Sequence, residues 1–250
     1  MKFHLIQPMG GGGTRFLSSE IMPKPLIIIN DKPFFYWATK SLSDNKFVKD
    51  ITYVVLNEHI EHYKIDKEIK DYFPNANIVS LPKILNGAVL TCLEGIKTIQ
   101  DDLPIVFNDC DHAFKCTEFF DFLENYDESI YGGLLTFNSD ENKYSFVKYD
   151  ENNNIIGTVE KEVVSNDAIC GAYYFKNKEV FVKYAEKYLK NCSYKEFFMS
   201  GVYNEICNDG HKLVKFKTDL HLSFGTPEEY KNIKNSDKFK VIDNGDNRKL

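Results

Sequence analysis

The sequence has no excess of basic residues. Its 250 residues carry 31 lysines and arginines against 37 aspartates and glutamates, a formal net charge of −6. Without surplus cations to displace phosphate counter-ions, nucleic-acid binding is excluded as the main activity. Long apolar runs are missing as well: no stretch approaches the roughly 18 residues of a membrane span, so no membrane association is expected. The six cysteines (Cys92, Cys110, Cys116, Cys170, Cys192 and Cys207) never form a C-x-x-C pair. That signals neither a zinc site nor a secreted disulfide framework, and reduced thiols in a cytoplasmic protein are expected. The first apolar stretch, Phe3 to Met9, is broken by His4 and Gln7 and runs into glycines. It reads as a strand and not as a signal peptide. Repeats, low-complexity tracts and linkers are also lacking. What is present is 43% hydrophobic and 14% aromatic residues, enough for a large globular core.

Short apolar runs alternate with amphipathic stretches over the first 110 residues or so. Strands are expected at Lys2 to Gln7, Leu26 to Ile29, Ile51 to Leu56, Ala76 to Leu81 and Pro104 to Phe107. Helices are expected at Pro33 to Ser43, Glu58 to Phe73 and Asn86 to Ile99, with Asn86 as N-cap. Continuous apolar strands separated by helices indicate βαβ units and a parallel sheet. The second half reads differently. Gly132 to Phe137, Tyr144 to Tyr149, Asn154 to Glu160 and Ala168 to Phe175 are strand-like, and the polar cluster from Asp150 to Asn154 joins two of them as a hairpin turn. Helices return at Lys178 to Leu189 and Lys195 to Cys207, followed by short strands around Lys212 to Phe224. The tail after Tyr230 is polar and reads as loosely packed, with at most a short helix. The expected fold is α/β: a Rossmann-like, mostly parallel sheet flanked by helices, continuous with a mixed-sheet half. A nucleotide-binding half (1–112), a substrate-binding half (113–230) and a polar tail (231–250) make up one domain.

The sharpest feature is Gly10-Gly11-Gly12-Gly13-Thr14-Arg15, directly after the first strand. Consecutive glycines bring backbone close to a ligand and aim several N–H groups at it, which suits phosphate oxygens. The run fits neither G-x-G-x-x-G, which needs glycine where Arg15 stands, nor the G-K-[ST] ending of a P-loop. It carries instead a guanidinium at its end, and Lys24 follows nine positions later between Pro23 and Pro25. Arginine offers phosphate a planar fork and lysine a point charge, and the two prolines hold Lys24 on a stiff segment. A second feature is Asp109-Cys110-Asp111, two carboxylates at the C-terminal end of a buried strand, where ligands bind in open α/β sheets. Hard oxygen ligands there suit Mg²⁺, which needs only one or two carboxylates besides substrate phosphates. His59 and His62 lie in an exposed-looking helix pattern and read as surface residues, while His112 reads as lining the site.

These motifs resemble the sugar nucleotidyltransferase (nucleoside-diphosphate-sugar pyrophosphorylase) family, whose motif is G-x-G-[ST]-R followed by P-K-P. The resemblance runs from Phe3 to Tyr230 and implies a GT-A-like, Rossmann-like fold. It implies that Met9, Gly10, Gly11, Gly12, Gly13 and Thr14 wrap a nucleoside triphosphate, that Arg15 grips the departing pyrophosphate, and that Lys24 neutralises phosphate charge in the transition state. Asn86-Gly87-Ala88-Val89-Leu90-Thr91 is similar to the family segment whose glycine backbone lies against the nucleobase, placing Gly87 and Ala88 at the nucleotide. The metal-holding aspartate aligns best with Asp111, with Asp109 as the alternate on the nucleotide side. Glu160 and Lys161 match a pair that binds the sugar hydroxyls and the sugar phosphate. The strand carrying Gly171 and Tyr173 resembles the one beneath the sugar, and Gly225 to Tyr230 resembles a G-T-P-E-[DE] block.

The reaction so implied is attack by a phosphate oxygen of a phosphorylated sugar on the α-phosphorus of a nucleoside triphosphate, with Mg²⁺ and release of pyrophosphate. The nucleophile is already an anion, so positioning and charge neutralisation supply the catalysis. The resemblance also implies a cytoplasmic enzyme feeding surface or capsule polysaccharide synthesis, and it admits a homo-oligomer. Three other readings stay open: a cytidylyltransferase whose acceptor is not a sugar, a glycosyltransferase using Asp109-Cys110-Asp111 as D-x-D, and a nucleotide-binding protein without turnover. The last is motivated by Ser223, which stands where many family members carry a second metal-binding aspartate. Asp219, four positions back, would lie about 13 Å away along a strand and cannot replace it.

Overall fold

Residues 1–16, 22–44 and 46–243 are described by the structure, a computed structural model. The chain opens with β1 (Phe3–Pro8), then single 3₁₀ turns at Thr14–Phe16 and Lys24–Leu26, and the two-residue strands β2 (Ile28–Ile29) and β3 (Lys32–Pro33). There follow α1 (Phe34–Lys40), β4 (Val48–Leu56), α2 (Asn57–Tyr63), α3 (Ile65–Tyr72), β5 (Asn77–Leu81), α4 (Ala88–Gly95), β6 (Ile105–Asn108), β7 (His112–Lys115) and α5 (Thr117–Glu124). The second half comprises β8 (Ile130–Asn138), β9 (Ser145–Tyr149), β10 (Ile155–Glu160), β11 (Asp167–Phe175), α6 (Lys178–Asn191), α7 (Met199–Asn208), β12 (Lys212–Lys217), β13 (Leu220–Ser223), α8 (Pro227–Ile233) and α9 (Lys238–Asp243).

One nine-stranded sheet joins both halves in the order β10-β9-β11-β6-β1-β4-β5, with β8 and β12 branching from β11. β1 pairs in parallel with both β4 and β6, and β4 with β5. The chain leaves β1 toward β4 on one side and reaches β6 on the other, so the C-terminal ends of β1 and β6 flank the point where strand order reverses. Ligands of open α/β sheets bind at that point. The β1 end carries the glycine loop and the β6 end carries Asp109 and Asp111. From β6 outward the sheet becomes mixed, because β11 runs antiparallel to both β6 and β8. Strands β1 and β6 are buried along nearly their whole length, as continuous apolar strands covered on both faces must be.

Several local expectations are corrected. The expected strand Leu26 to Ile29 does not join the large sheet. Only Ile28–Ile29 is extended, in a small hairpin whose turn residues Asn30 and Asp31 have φ of 47° and 66°. Glu58 to Phe73 is two helices, broken at Lys64 in the left-handed conformation (φ 55°). Asn86 is not the N-cap of α4. Gly87 holds that position with φ 101° and no side-chain cap. The helix expected from Lys195 begins only at Met199. β7 and α5 were not anticipated. The tail is packed as far as Asp243: Phe239 and Ile242 on α9 are fully buried, and Phe239 meets Trp37 at 4.7 Å between rings. A helix of six residues has too little periodicity to announce itself, yet Trp37, Phe34 and Phe224 offer it an apolar seat. Residues 244–250 of the expected tail lie outside the described residues.

At the end of the sheet remote from the glycine loop, His4 is buried on β1 between two carboxylates. Its Nδ1 lies 2.8 Å from Asp50 and its Nε2 2.7 Å from Asp101. Only the doubly protonated ring can donate to both. Burial opposes that charge, but the hydrogen bonds and charges of Asp50 and Asp101 outweigh it and raise the pKa above 6.5. A raised histidine pKa contributes stability that is complete below the unfolded value and fades as pH rises through the folded one. In urea unfolding, His4→Gln should therefore cost more at about pH 5.5 than at about pH 8.5, by on the order of 1 kcal/mol. An equal cost at both pH values would show that His4 is neutral.

Candidate active site

The glycine loop continues β1 directly. Met9 is buried and donates its N–H to the Val54 carbonyl at 2.8 Å, which fixes where the loop begins. Gly10 packs against Leu81 and Thr91, while Gly11 and Gly12 are exposed. The loop ends in the Thr14–Phe16 turn, closed by a Phe16 N–H to Gly13 carbonyl bond of 3.0 Å. Phe16 is the anchor of this turn. Its ring is buried against Phe34 at 5.8 Å and Tyr230 at 6.5 Å, which leaves the Arg15 side chain exposed above it.

Lys24 is delivered from the other side. Pro23 and Pro25 frame its 3₁₀ turn, and Pro25 and Leu26 are buried. Its Nζ donates to Asp111 Oδ2 at 2.7 Å, with the two side chains only 20% and 23% exposed. Burial works against both charges. The pair overcomes it, holding the Asp111 carboxyl well below its ordinary range and the ammonium above its own. Arg15 adds to the positive field at Asp111. Asp109 moves the opposite way: burial, then the neighbouring Asp111 charge, push it upward. The two acids, separated by Cys110, are thus shifted in opposite directions.

Two cavities meet at these acids. One, of about 220 Å³, is lined by Met9, Gly11, Gly13, Lys24, Asp109 and Asp111. The other, of about 370 Å³, takes in Arg15, Ala88, Asp109, Asp111, Glu160, Lys161, Gly171 and Tyr173. Thr14 lines the second cavity too. Gly10 and Gly87 line neither; the backbone of Phe197 lies against the Gly87 Cα, where an added Cβ would come within 2.5 Å of it. A larger groove of about 730 Å³ along α6 holds none of the residues singled out by the sequence.

The substrate-side residues are held by local geometry. β11 loses register with β8 between Ile169 and Tyr173, and Gly171 sits in that irregularity with φ 80°. Its carbonyl accepts from the Asp109 N–H at 2.9 Å, which ties the strand to the acidic loop. Glu160 accepts hydrogen bonds at Oε2 from Ser145 and, at 3.0 Å, from Ser200. Lys161 has left-handed backbone (φ 57°), its N–H bonded to Tyr144 O at 3.0 Å, and its ammonium 5.1 Å from the Phe198 ring. Tyr173 forms buried floor.

The family model described as nucleotidyl transferase matches residues 9–238. The chain belongs to the nucleotidyl transferase family. Among curated relatives it is 27% identical, over 229 residues covering 88% of this chain and 94% of the other, to a D-glycero-alpha-D-manno-heptose 1-phosphate guanylyltransferase from Campylobacter jejuni subsp. jejuni serotype O:2. Solved structures share the fold at lower identity. A nucleoside-diphosphate-sugar pyrophosphorylase from Vibrio cholerae RC9 superposes with TM-score 0.78 at 19% identity, covering 91% of this chain and 98% of that one. An inositol-1-phosphate CTP transferase from T. maritima gives 0.75 at 17% identity, covering 96% and 95%.

In this nucleotidyl transferase the structure adds residues that the sequence did not single out. Tyr144 and Lys143, from the β8–β9 connection, bond Glu229 at 2.7 and 2.9 Å. Glu229 also closes the capping box of α8 with Thr226, and Ser223 hydrogen-bonds both Tyr144 and Glu229. The T-P-E-E string signals the cap; nothing local signals the reach to Tyr144. His112 lines the cavity as expected, buried and lowered to about 4 by that burial. His221 stacks on Phe137 at 3.8 Å beside it. His59 is not a surface residue: it is buried, and burial lowers its pKa.

Among the described residues no group of three or more His, Cys, Asp or Glu side chains is arranged to hold a metal. The donor set nevertheless fits Mg²⁺, which takes one or two carboxylates and completes its shell with phosphate and water. Asp111 is ionised, and space beside its Oδ2 is kept by Gly225, where a Cβ would lie 2.5 Å from that oxygen. Asp219 is committed elsewhere, accepting the Thr117 N–H at 2.7 Å.

Gly171→Ala should distort the site. An added Cβ would lie 2.6 Å from His112 Cε1 and 2.8 Å from Asp109 Oδ2, on backbone that disfavours any side chain. A loss of about 1–3 kcal/mol in urea unfolding is expected. Gly11→Ala, whose Cβ meets nothing within 4 Å, should stay within about 0.5 kcal/mol of wild type. Equal effects of the two would contradict the placement of Gly171.

Proposed function

We propose that this enzyme joins a nucleoside triphosphate to a phosphorylated sugar, giving a nucleoside-diphosphate sugar and pyrophosphate. The observation that carries the reading is the half-buried Lys24–Asp111 pair where the two cavities meet, with Arg15 lining the larger of them. Cations and an ionised carboxylate meet where a triphosphate on the glycine loop would face a second phosphorylated molecule. The second cavity is polar and of monosaccharide size. Its Glu160, fixed by Ser145 and Ser200, supplies a carboxylate oriented to accept from hydroxyls, and Lys161 supplies a cation for the acceptor phosphate. The heptose 1-phosphate guanylyltransferase relative supports a sugar phosphate as the acceptor class.

In this reading an oxygen of the acceptor phosphate forms a bond to the α-phosphorus while the bond from that phosphorus to the bridging oxygen breaks. Both electrons leave with pyrophosphate, and no proton moves. Arg15 and Lys24 offset charge on the departing and transferring groups, and the glycine N–H groups orient the chain of phosphates. Asp111, with Asp109 beside it, would hold Mg²⁺, which supplies Lewis-acid polarisation of phosphoryl oxygens when bound. The same proposal places the product in the cytoplasm as a donor for surface polysaccharide assembly.

A panel of five nucleoside triphosphates against sugar phosphates and phosphorylated amino alcohols, read by pyrophosphate release, tests the reading. Release with a sugar phosphate is expected; release only with a non-sugar acceptor would replace the acceptor class, and none with any pair would overturn turnover. Arg15→Ala and Lys24→Ala should each lower the rate on the order of 10²–10³. Wild-type kinetics in both would remove the phosphate-loop assignment.

A further inference from the structure

Lys24 donates to the very oxygen that a cation on Asp111 would need. Its Nζ lies 2.7 Å from Asp111 Oδ2, beside the space that Gly225 keeps clear. A Mg–oxygen bond of about 2.0–2.1 Å would set a divalent ion within a few ångströms of the ammonium, against strong repulsion. Of the groups nearby, Ser223 is uncharged, Glu229 is already paired with Lys143, and Arg15 adds positive charge at the same cavity.

The lysine also has somewhere else to go. Its root lies beside the glycine loop, since a Cβ on Gly13 would come 3.2 Å from Lys24 Cβ. Gly11, Gly13, Lys24 and Asp111 line one cavity of about 220 Å³, so the lysine and the loop face the same space. The flanking prolines keep the backbone still.

We propose that Lys24 is the resident counter-ion of Asp111, and that a divalent cation gains this carboxylate only when Lys24 leaves it. A triphosphate on the glycine loop draws the ammonium onto phosphate and so uncovers the cation site. Nucleotide and cation then enter together, and the free protein holds the cation weakly. This rests on the nucleotidyl-transfer reading only in taking Asp111 as the cation's carboxylate.

The test uses Mn²⁺ alone, titrated into the full chain without nucleotide, with free ion followed by electron paramagnetic resonance. Wild type and Lys24→Arg, which keeps the cation, should bind weakly. Lys24→Met should bind on the order of tenfold to a hundredfold more tightly. Lys24→Met combined with Asp111→Asn should lose the whole gain. If Lys24→Met is unstable, Mn²⁺ should restore its melting temperature, because the ion replaces the missing charge. No tightening in Lys24→Met, no rescue of an unstable Lys24→Met, or a gain that survives Asp111→Asn overturns the proposal. Pyrophosphate release is measured in parallel with wild type. Turnover without the Lys24 effect sinks the competition and leaves the transfer reading intact, and the Lys24 effect without turnover does the reverse.

Discussion

The ion pair between Lys24 and Asp111 joins two parts of the chain that are 87 positions apart. Both partners are mostly withdrawn from water, and each would be costly alone: a buried charge without its counter-charge is strongly destabilising. The pair therefore constrains everything that brings it together. The Lys24 turn must be stiff, which the prolines ensure. The acidic loop must be tied down, which the Asp109 N–H and the Asp111 carbonyl do through Gly171 and Phe224. The glycine at 225 must stay small.

The mixed half of the sheet completes that arrangement. Because β11 runs antiparallel to β6, its middle lies beside the end of the strand that leads to the acids. The irregularity at Gly171 turns this pairing into a tie to the acidic loop. Glu160 and Lys161 then enter from the end of β10, at the sheet edge, and are fixed by α7 through Ser200 and by the neighbouring strand through Ser145. The cavity is thus bounded by the large sheet, by the small β7–β13 sheet and by the first turns of α4, α7 and α8.

Much of this was legible in the sequence, for identifiable reasons. Continuous apolar strands such as Ile105–Asn108 announce burial on both faces, and the Gly10–Arg15 run has few uses besides holding an anion. Asp109 and Asp111 were readable because they end a buried strand. The hairpin turn was readable from its own chemistry: Asp150 bonds the N–H groups of Asn152 and Asn154 at 2.9 and 2.8 Å. What stayed hidden depends on contacts between distant residues. Ser145 and Ser200 become partners of Glu160 only after folding, and Glu229 meets Tyr144 across 85 positions. His59 looked exposed because its neighbours Glu58, Glu61 and His62 are polar, though its own face of α2 is buried. α9 was hidden because its stability comes from the aromatic seat it fills and not from its own sequence.

That aromatic seat ties the two ends of the chain together. Phe16, the anchor of the loop that carries Arg15, shares a single cluster with Phe34, Trp37, Phe224, Phe239 and Ile242. The Phe16 ring is held by Phe34 and by Tyr230, two residues far apart in the chain. Order at the turn that carries Arg15 thus rests on a long-range aromatic contact with α8. Such contacts cost the most loop entropy to close, and a local opening of α8 would free the turn without disturbing the large sheet.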